Sequence, residues 1–347
     1  MLVSDFDFQL PEDLIAQEAA PRGESRMLVV PPEGRQLQDA LVGQLPSLLE
    51  PGDLVVVNNT RVFTARLLGR RDPSGGAVEC LLMKRVQGDV WEGLMHPGQK
   101  LKPGARVIFD GPAGVLRGEV LERRFFGRRT IHLSTDDPGG VDALVDALGH
   151  IPLPPYIKRE DTGADRERYQ TVFATHRGSV AAPTAGLHFT REILDALEAR
   201  GVERHEVTLH VGYGTFKPVR VTDVEAHEVD PEPYDISAAA ALAINRALDQ
   251  GRRIIAVGTT TTRALEDAAA RGHGRLVPGA AEATTFIYPG FEFRVVRGLV
   301  TNFHLPQSSL LMLVAAFAGR ERVLAAYREA VERRYRFYSY GDAMLVL

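Results

Sequence analysis

Residues 253–263 read RIIAVGTTTTR, and this run reveals more of the architecture than any other part of the chain. Its apolar part predicts a buried strand, and the threonines after Gly258 predict the first turn of a helix. Because strands and helices alternate from about residue 150 onwards, the sequence favours a mainly parallel sheet covered by helices. At the turn, backbone amides, hydroxyl groups and Arg263 suit a bound carboxylate or phosphate. The alternative is a threonine-rich helix cap that binds no ligand.

Further elements are predicted on both sides of this turn. Thr190 and Ser237 are expected to cap helices, and Gly201 is expected to end the first of them. Alternation over residues 206–211 predicts a strand with His210 on the face away from the core. Other strands are predicted at 54–57, near 284–288 and at 294–300, and the last two helices at 308–317 and 320–334.

Between residues 62 and 133 the pattern changes to short β-like runs separated by Gly and Pro clusters. The predicted strands are 66–68, 78–83, 90–95, 107–109, 115–121 and 129–133. Short strands at this spacing are typical of a small β-barrel or sandwich. We therefore predict an α/β fold in which a large mixed α/β domain, residues 1–61 and 150–347, carries an inserted small β-barrel domain, residues 62–149.

The β-rich segment is locally basic. It holds 13 Lys and Arg against 7 Asp and Glu, whereas the whole chain has a net charge of −4. Such residues form either a solvated face or a surface that contacts phosphates. The residues that could form the second kind of surface are Arg70, Arg71, Lys100, Lys102, Arg123, Arg124, Arg128 and Arg129.

Composition limits the classes of function. Cys80 is the only cysteine among 347 residues, which excludes an internal disulfide, a cysteine zinc site and a cysteine-held iron–sulfur cluster. Residues 227–232, HEVDPE, match neither the HExxH nor the calcium-loop spacing, so no metal site is predicted. We expect a cytoplasmic protein without a secretory signal or a membrane span.

Four further segments combine glycine, hydroxyl, histidine and aromatic side chains in a way that suits a ligand site. They are residues 178–190 (GSVAAPTAGLHFT), 209–219 (LHVGYGTFKPV), 301–309 (TNFHLPQSS) and 335–344 (YRFYSYGDAM). The ordinary alternatives are a turn-rich loop, core aromatic residues, a hydrogen-bonded buried histidine and a turn-forming Gly-Asp pair. A Ser-His-Asp hydrolase is poorly supported, because the chain has no GxSxG elbow.

Together, these segments resemble the S-adenosylmethionine:tRNA ribosyltransferase-isomerase family of queuosine synthesis. The matching motifs are GSVAAPTAGLHFT, HVGYGTFKPV, GTTTTRALE, TNFHLPQSSLLMLVAAF and YRFYSYGDAM, and FDFQLPEDLIAQEAAPRGESRMLVV and PGDLVVVNNTRVFTARLLG extend the match to the N-terminal half. The resemblance runs essentially end to end. Two positions depart from it: Asn59 stands where the family usually has Asp, and Asp230 where it commonly has His.

The resemblance implies a reaction and its partners. The ribosyl moiety of S-adenosylmethionine would be transferred and isomerised onto 7-aminomethyl-7-deazaguanine at the tRNA wobble position, giving epoxyqueuosine with release of adenine and methionine. S-adenosylmethionine is then a substrate, so no cofactor is expected, and the anticodon arm of tRNA is the macromolecular partner. We expect a monomer. The large α/β domain and β-barrel insert of the family agree with the architecture predicted above.

The chemistry that the resemblance implies needs a base for the ribose methylene beside the sulfonium and an acid for the departing adenine. The candidates for these two tasks are His188, His210, His304 and Asp342. The candidates for binding S-adenosylmethionine are Tyr213, Phe216, Gly258, Thr259, Thr260, Arg263 and Phe303, with Tyr338 as a further ring. The basic residues of the β-rich segment become candidates for binding tRNA.

Two other functions fit parts of the sequence. Without the resemblance, the chain reads as an RNA-binding β-barrel fused to an α/β scaffold without catalysis. A methyltransferase that uses S-adenosylmethionine is the second alternative. Release of adenine separates the three, because a methyltransferase makes S-adenosylhomocysteine and a binding module makes neither product.

Overall fold

The computed structural model describes residues 1–216 and 218–347, without the side chains of Thr215 and Phe216. Its strands, in chain order, are β1 Arg26–Val30, β2 Gln38–Leu41, β3 Leu54–Asn58, β4 Thr60–Val62, β5 Arg66–Asp72, β6 Ala77–Gln87, β7 Val90–His96, β8 Arg106–Gly111, β9 Gly114–Arg123, β10 Arg128–Ser134, β11 His176–Ser179, β12 Glu203–Leu209, β13 Glu232–Ile236, β14 Ile254–Val257, β15 Gly279–Ala283, β16 Gly298–Asn302 and β17 Ala343–Val346.

Helices cover both faces of the large sheet. The α-helices are α1 Leu45–Leu48, α2 Gly140–Leu148, α3 Asp165–Arg168, α4 Arg191–Ala199, α5 Ala238–Asp249, α6 Thr259–Arg271, α7 Ser309–Ala318 and α8 Arg320–Glu332. Short 3₁₀ turns lie at Val3–Phe6, Glu12–Leu14, Val42–Gln44, Gly98–Lys100, Phe125–Gly127, Thr184–His188, Tyr213–Phe216 and Val224–Ala226.

In the described part of the chain, nine strands form one mixed sheet in the order β15-β13-β12-β3-β14-β16-β17-β1-β2. The central strands β12, β3, β14 and β16 are parallel, and antiparallel strands flank them. Successive residues of β3 pack on opposite sides: Leu54 and Val56 join the core under α5 to α8, and Val55 and Val57 join the core under α1 and α4. Burial on both faces explains why this strand is a continuous apolar run.

The β-rich segment closes into a barrel with the strand order β10-β7-β6-β5-β8-β9. All of its strand pairs are antiparallel. Leu144 and Val145 of α2 belong to the same buried cluster as the barrel interior, so this helix closes one end of the barrel. The mixed α/β fold with a small inserted barrel is therefore confirmed, and each of the six predicted barrel strands exists. The boundaries 62 and 149 stay a prediction.

One predicted strand is wrong and another begins later than predicted, and buried carboxylates account for both differences. Glu266 accepts hydrogen bonds from the backbone N–H groups of Arg294, Val295 and Val296, so these groups cannot join a ladder and β16 begins only at residue 298. Asp267 likewise accepts the N–H of Thr284 and the hydroxyl of Thr285. The edge strand forms earlier, as β15, and residues 284–288 do not form a strand.

The predicted helix caps are confirmed. The Thr190 hydroxyl accepts the N–H of Ile193 at 3.2 Å, and the Ser237 hydroxyl accepts the N–H of Ala240 at 3.1 Å. Each side chain satisfies a helix donor that has no partner within the helix. The resulting helices, α4 and α5, begin one residue after their caps.

Candidate active site

The motif segments, although far apart in the sequence, meet at one cleft, which we call the threonine cleft. Its walls come from residues 181–185, from Val211, from the start of α6, from residues 301–308 and from Tyr338 and Ser339. The cleft has a cavity volume of about 70 Å³, which is room for about five water molecules. The lining mixes backbone amides, hydroxyl groups and a few rings, as small-molecule sites do.

The N-terminus of α6 forms the polar end of this cleft. Gly258 has φ of +96°, a conformation that side chains rarely adopt, and its own carbonyl accepts the hydroxyl of Thr262. Thr261 likewise donates its hydroxyl to the carbonyl of Val257. Of the four threonine side chains, those of Thr259 and Thr260 therefore face the cleft, together with the positive end of the helix dipole.

Arg263 does not extend this anion site as the sequence suggested. Its guanidinium donates to the Glu232 carboxylate at 2.6 Å and to the carbonyls of Ala283 and Thr285. Both partners of the ion pair are nearly buried, with side-chain exposures of 9% and 3%. Glu232 also accepts the backbone N–H of Gly212 at 3.0 Å. The arginine therefore holds the segment that follows β12 in place, and its role in binding S-adenosylmethionine stays a prediction.

His304 lines the threonine cleft and is held from two sides. Its Nε2 atom lies 2.8 Å from the Thr301 hydroxyl, and its backbone N–H donates to the hydroxyl of Tyr327. Burial lowers the pKa of His304 to about 3. The imidazole is therefore neutral at pH 7 and can accept or donate a hydrogen bond inside the cleft.

His188 sits behind the cleft wall and not in it. The side-chain amide of Asn302 lies 3.2 Å from His188 Nε2 and also donates to the carbonyl of Tyr338. Burial, with Arg168 next in effect, lowers the pKa of His188 to about 4. Because Asn302 lines the cleft and His188 does not, the histidine supports the wall, and its role as an acid or base stays a prediction.

Asp342 is also placed away from the cleft. Its two carboxylate oxygens accept the backbone N–H groups of Arg26 at 3.1 Å and Arg336 at 2.8 Å. Burial raises the pKa of Asp342, although these N–H groups oppose the shift. The carboxylate thus fastens the C-terminal segment to the start of β1, and its catalytic role stays a prediction.

The predicted aromatic residues divide among three places. Phe303 is fully buried against Tyr327 and Phe337, with ring centroids 5.3 and 5.0 Å apart, so it forms the floor of the cleft. Tyr338 lines the cleft with φ of +75°, and its ring lies 4.6 Å from that of Tyr156. Tyr213 lines neighbouring grooves beside the barrel. The side chain of Phe216 lies outside the described part of the structure.

A second and larger depression, which we call the barrel groove, runs between the barrel and the sheet. It offers about 770 Å³ by the same measure and meets the threonine cleft at Val211, which lines both. Phe63 and Trp91 line it, each with a guanidinium over its ring: Arg177 at 4.6 Å and Arg85 at 4.5 Å. A groove of this size with aromatic walls can accept a nucleobase.

His210 lines the barrel groove and directly precedes Val211, the residue that lines both spaces. Its Nδ1 atom is 2.8 Å from the Thr60 hydroxyl, which in turn is 3.0 Å from the hydroxyl of Ser179. Gly178 lies flat against the imidazole, because an added Cβ would come within 2.6 Å of the ring. Burial, helped by the nearby His176, lowers the pKa of His210, so the ring is neutral at pH 7.

Thr60 and Ser179 are site residues that the sequence analysis missed. Both belong to strands of a small parallel pair, β4 and β11, that carries Thr60 to the back of the His210 ring. Thr60 lies in the NNTR run and Ser179 in the GSVAAPTAGLHFT segment, so the motifs contained both residues without showing their contact.

The basic candidates on the barrel differ in their surroundings. Arg70 pairs with Asp110, Arg124 with Glu122 and Glu92, and Arg128 with Glu92 and Asp230. Arg71 is half-buried, whereas Lys100, Lys102 and Arg123 are exposed. Arg129 is only 2% exposed and donates to the carbonyls of Leu101, Arg128 and Gly98. Its guanidinium is thus part of the barrel structure, and we withdraw it from the tRNA surface.

Across residues 1–216 and 218–347, no group of three or more His, Cys, Asp and Glu side chains is arranged to hold a metal ion. Within the same ranges, no helix has the length and apolar character needed to span a bilayer.

Comparison with known proteins identifies the family. The model for a family described as queuosine biosynthesis protein matches residues 3–346. The chain belongs to this family. This membership confirms the resemblance that the motifs indicated, and it covers almost every residue from the first 3₁₀ turn to the last strand.

Members of the family with closely similar sequences are full-length matches. A protein of Symbiobacterium thermophilum named S-adenosylmethionine:tRNA ribosyltransferase-isomerase is 50% identical over 348 residues, 100% of both chains. A protein of the same name from Syntrophotalea carbinolica is 51% identical over 350 residues, again 100% of both. The crystal structure of S-adenosylmethionine tRNA ribosyltransferase from Thermotoga maritima is 37% identical, with a TM-score of 0.54 over 99% of this chain and 100% of that one.

Proposed function

We propose that this protein is an S-adenosylmethionine:tRNA ribosyltransferase-isomerase. It transfers and isomerises the ribosyl moiety of S-adenosylmethionine onto 7-aminomethyl-7-deazaguanine at the tRNA wobble position, giving epoxyqueuosine and releasing adenine and methionine. The observation that carries the proposal is the meeting of five family motifs at one cleft, which shares the lining residue Val211 with a groove large enough for a nucleobase. Full-length relatives at about half identity bear the same name.

S-adenosylmethionine would bind across the junction of the two spaces. The threonine cleft has about 70 Å³ of open space in its present form, which suits one end of the molecule rather than all of it. We assign that end to the methionine carboxylate, because the backbone N–H groups of Thr259 and Thr260 begin α6 and favour an anion, whereas that of Gly258 already donates to the carbonyl of Val300. The sulfonium then lies near the rings of Tyr338 and Phe303, and a cation over a ring gains about 0.5–2 kcal/mol.

The acceptor base of tRNA would enter from the barrel groove. Of the described cations that line this groove, Lys84, Arg85, Arg128 and Arg177 each have a carboxylate within ion-pair distance. Paired cations offer little to a phosphate, so the groove suits a base and its aminomethyl substituent, and the phosphates are contacted by the exposed Lys100, Lys102 and Arg123. The partner is therefore the anticodon arm, bound along the barrel.

His210 is our candidate for the base. It stands where the groove meets the cleft, its lowered pKa keeps it neutral at pH 7, and the Thr60 hydroxyl fixes the orientation of its ring. It can take a proton from the aminomethyl group, which must be neutral to attack, or from the ribose methylene beside the sulfonium. His304, neutral and inside the cleft, is our candidate for hydrogen bonding to the departing adenine. His188 and Asp342 support the fold around them.

Release of adenine tests the proposal. Purified protein is incubated with S-adenosylmethionine and a tRNA that carries the aminomethyl base, and the products are separated by chromatography. We expect adenine and methionine in equal amounts, and no adenine with a tRNA that has guanine at the wobble position. S-adenosylhomocysteine would instead identify a methyltransferase, and the absence of both products with tRNA still bound would identify a binding module.

Variants then test the role of His210. Its replacement by Ala should lower the turnover number about 10²- to 10⁴-fold, the range for general acid–base catalysis. The matched control is His132→Ala, because this histidine is exposed on β10 of the barrel. A wild-type rate for the His210 variant would remove this residue from the mechanism.

We also propose that the protein is a cytoplasmic monomer. Its two domains would be residues 1–61 together with 150–347, and residues 62–149.

A further inference from the structure

The turn between β9 and β10 exposes two adjacent aromatic rings. We call residues 123–129, RRFFGRR, the hairpin tip. Phe125 is 86% exposed and Phe126 is 91% exposed, the highest values among the large apolar side chains that the structure describes. Single exposed apolar residues are common on proteins, but two neighbouring rings held almost entirely in water favour aggregation unless a partner covers them.

The hairpin tip is held in a defined shape. The N–H of Arg124 donates to the carbonyl of Arg128 across the turn, and Phe126 has φ of +54°, which is uncommon for a bulky residue. Arg129 fastens the base of the tip to the carbonyls of Gly98 and Leu101. The two rings are thus presented from a braced hairpin, and little additional ordering is needed when they bind.

Positive charge surrounds the two rings. Arg123 and Arg124 precede them directly in the chain, and Arg128 follows after one glycine; Arg124 and Arg128 form ion pairs with Glu92, which leaves Arg123 to contact a phosphate. Lys100 and Lys102, both exposed, belong to the turn that Arg129 ties to the hairpin. Aromatic rings set among cations are the arrangement by which proteins hold unpaired nucleotides, the rings stacking on bases and the cations facing the backbone.

The hairpin tip lies at the edge of the barrel groove. Arg128 lines the groove and comes within 3.7 Å of Asp230 on the opposite wall. Phe126 is two residues away, so its Cα atom lies within about 7.6 Å of that of Arg128. A nucleotide next to the one in the groove can therefore reach the rings.

We propose that Phe125 and Phe126 stack on unpaired bases of the tRNA anticodon loop that neighbour the reacting base, while Lys100, Lys102 and Arg123 contact the flanking phosphates. This inference rests on the proposed function, because it takes tRNA as the partner. Stacking tolerates any base, since each base has an aromatic face. The tip therefore anchors and orients the loop, and it does not choose between sequences.

A second copy of the chain or another protein fits the tip less well. A stable protein interface buries about 800 Å² on each partner, whereas two phenylalanine side chains supply roughly 300–500 Å². The remaining surface of the tip is charged, and charged residues are depleted from the centre of protein interfaces. A nucleic acid contacts both kinds of group, because its bases stack on the rings and its phosphates face the cations.

Binding of an anticodon stem-loop RNA tests the inference without any need for turnover. The dissociation constant is measured by fluorescence anisotropy for the wild type and for the double variant Phe125→Ala, Phe126→Ala. Loss of stacking should weaken binding about 5- to 150-fold. The double Trp variant should restore binding, and the double Leu variant, which is apolar but not aromatic, should not. The matched control is Leu242→Ala, because this side chain is 72% exposed on α5.

Stem-loops with one abasic nucleotide identify the partner base. Removal of one stacked base should cost the wild type part of the affinity that the double Ala variant loses, whereas the double Ala variant should lose nothing further. Equal binding by the wild type and the double Ala variant would overturn the inference. The inference would also be overturned if the wild type formed a dimer that the double Ala variant did not form, or if the double Leu variant restored RNA binding fully. Failure of the proposed function appears separately, as absence of adenine release by a wild type that still binds the stem-loop.

Discussion

Replacing Gly178 by Ala should displace the His210 ring. An added Cβ at position 178 would lie 2.6, 2.7 and 2.8 Å from Cε1, Nδ1 and Nε2 of the imidazole. Because non-bonded atoms prefer about 3.5 Å or more, the ring must move by about 1 Å. That movement breaks the 2.8 Å contact between Nδ1 and the Thr60 hydroxyl. A misplacement of this size costs about 10²-fold in rate.

The assay is adenine release at saturating S-adenosylmethionine and tRNA. We expect the turnover number of the Gly178 variant to fall about 100-fold, with both dissociation constants within about twofold of the wild type. Overpacking at this position should also lower the free energy of unfolding by about 1–3 kcal/mol, which thermal unfolding would measure. Gly163→Ala is the matched control, since a Cβ there meets no atom within 4 Å.

A double-mutant cycle shows whether the loss passes through the ring. Once His210 is replaced by Ala, the clash is gone, and Gly178→Ala should have no further effect on turnover. If the glycine variant slowed the His210→Ala enzyme by another 100-fold, the reasoning would be refuted. Thr60→Val offers an independent check, because it removes the hydroxyl at nearly constant volume and should lower turnover in the same direction.

Three other predictions concern stability and tRNA binding. Glu232→Gln leaves Arg263 without its buried partner and should cost about 3–5 kcal/mol in urea unfolding; a loss below about 1 kcal/mol would contradict the structural role of the pair. His304 and His188 have pKa values of about 3 and about 4 in the folded protein, below the ordinary 6.5, so the unfolded chain binds more protons and stability falls as the pH drops below about 6.5. At pH 5 the loss is about 2 kcal/mol for each histidine, and a flat stability profile from pH 7 to pH 5 would disprove it. Arg123→Glu should weaken tRNA binding and reduce the slope of log affinity against log salt by about 0.7–0.9, whereas an unchanged slope would show that phosphates are contacted elsewhere.

Local chemistry explains which elements could be predicted. The barrel strands and the caps at Thr190 and Ser237 depend on neighbours within a few residues, and each of them was predicted. The strand expected at 294–300 begins only at residue 298, because the N–H groups of residues 294–296 donate to Glu266, some thirty positions earlier in the chain. The pairing of β17 with β1 joins the two ends of the chain and has no local signal.

The candidate site divides in the same way. The motifs identified the segments that build the threonine cleft, because ligand-facing turns need glycine and hydroxyl residues wherever they lie. They did not give the role of Arg263 or Asp342. Nothing near either residue in sequence reveals that one is paired with Glu232 and the other with backbone N–H groups at residues 26 and 336.

The amino-acid order alone determined the family, the alternation of strands and helices, the inserted barrel and the set of segments that carry chemistry, because periodicity, capping and turn residues act over short distances. The tertiary structure alone decided which charged and titratable side chains face the cleft and which are paired with other groups inside the protein. A carboxylate or guanidinium pairs with whichever partner the folded chain brings to it, and here those partners lie far away along the chain. The Thr60 hydroxyl reached His210 in the same way, across 150 positions.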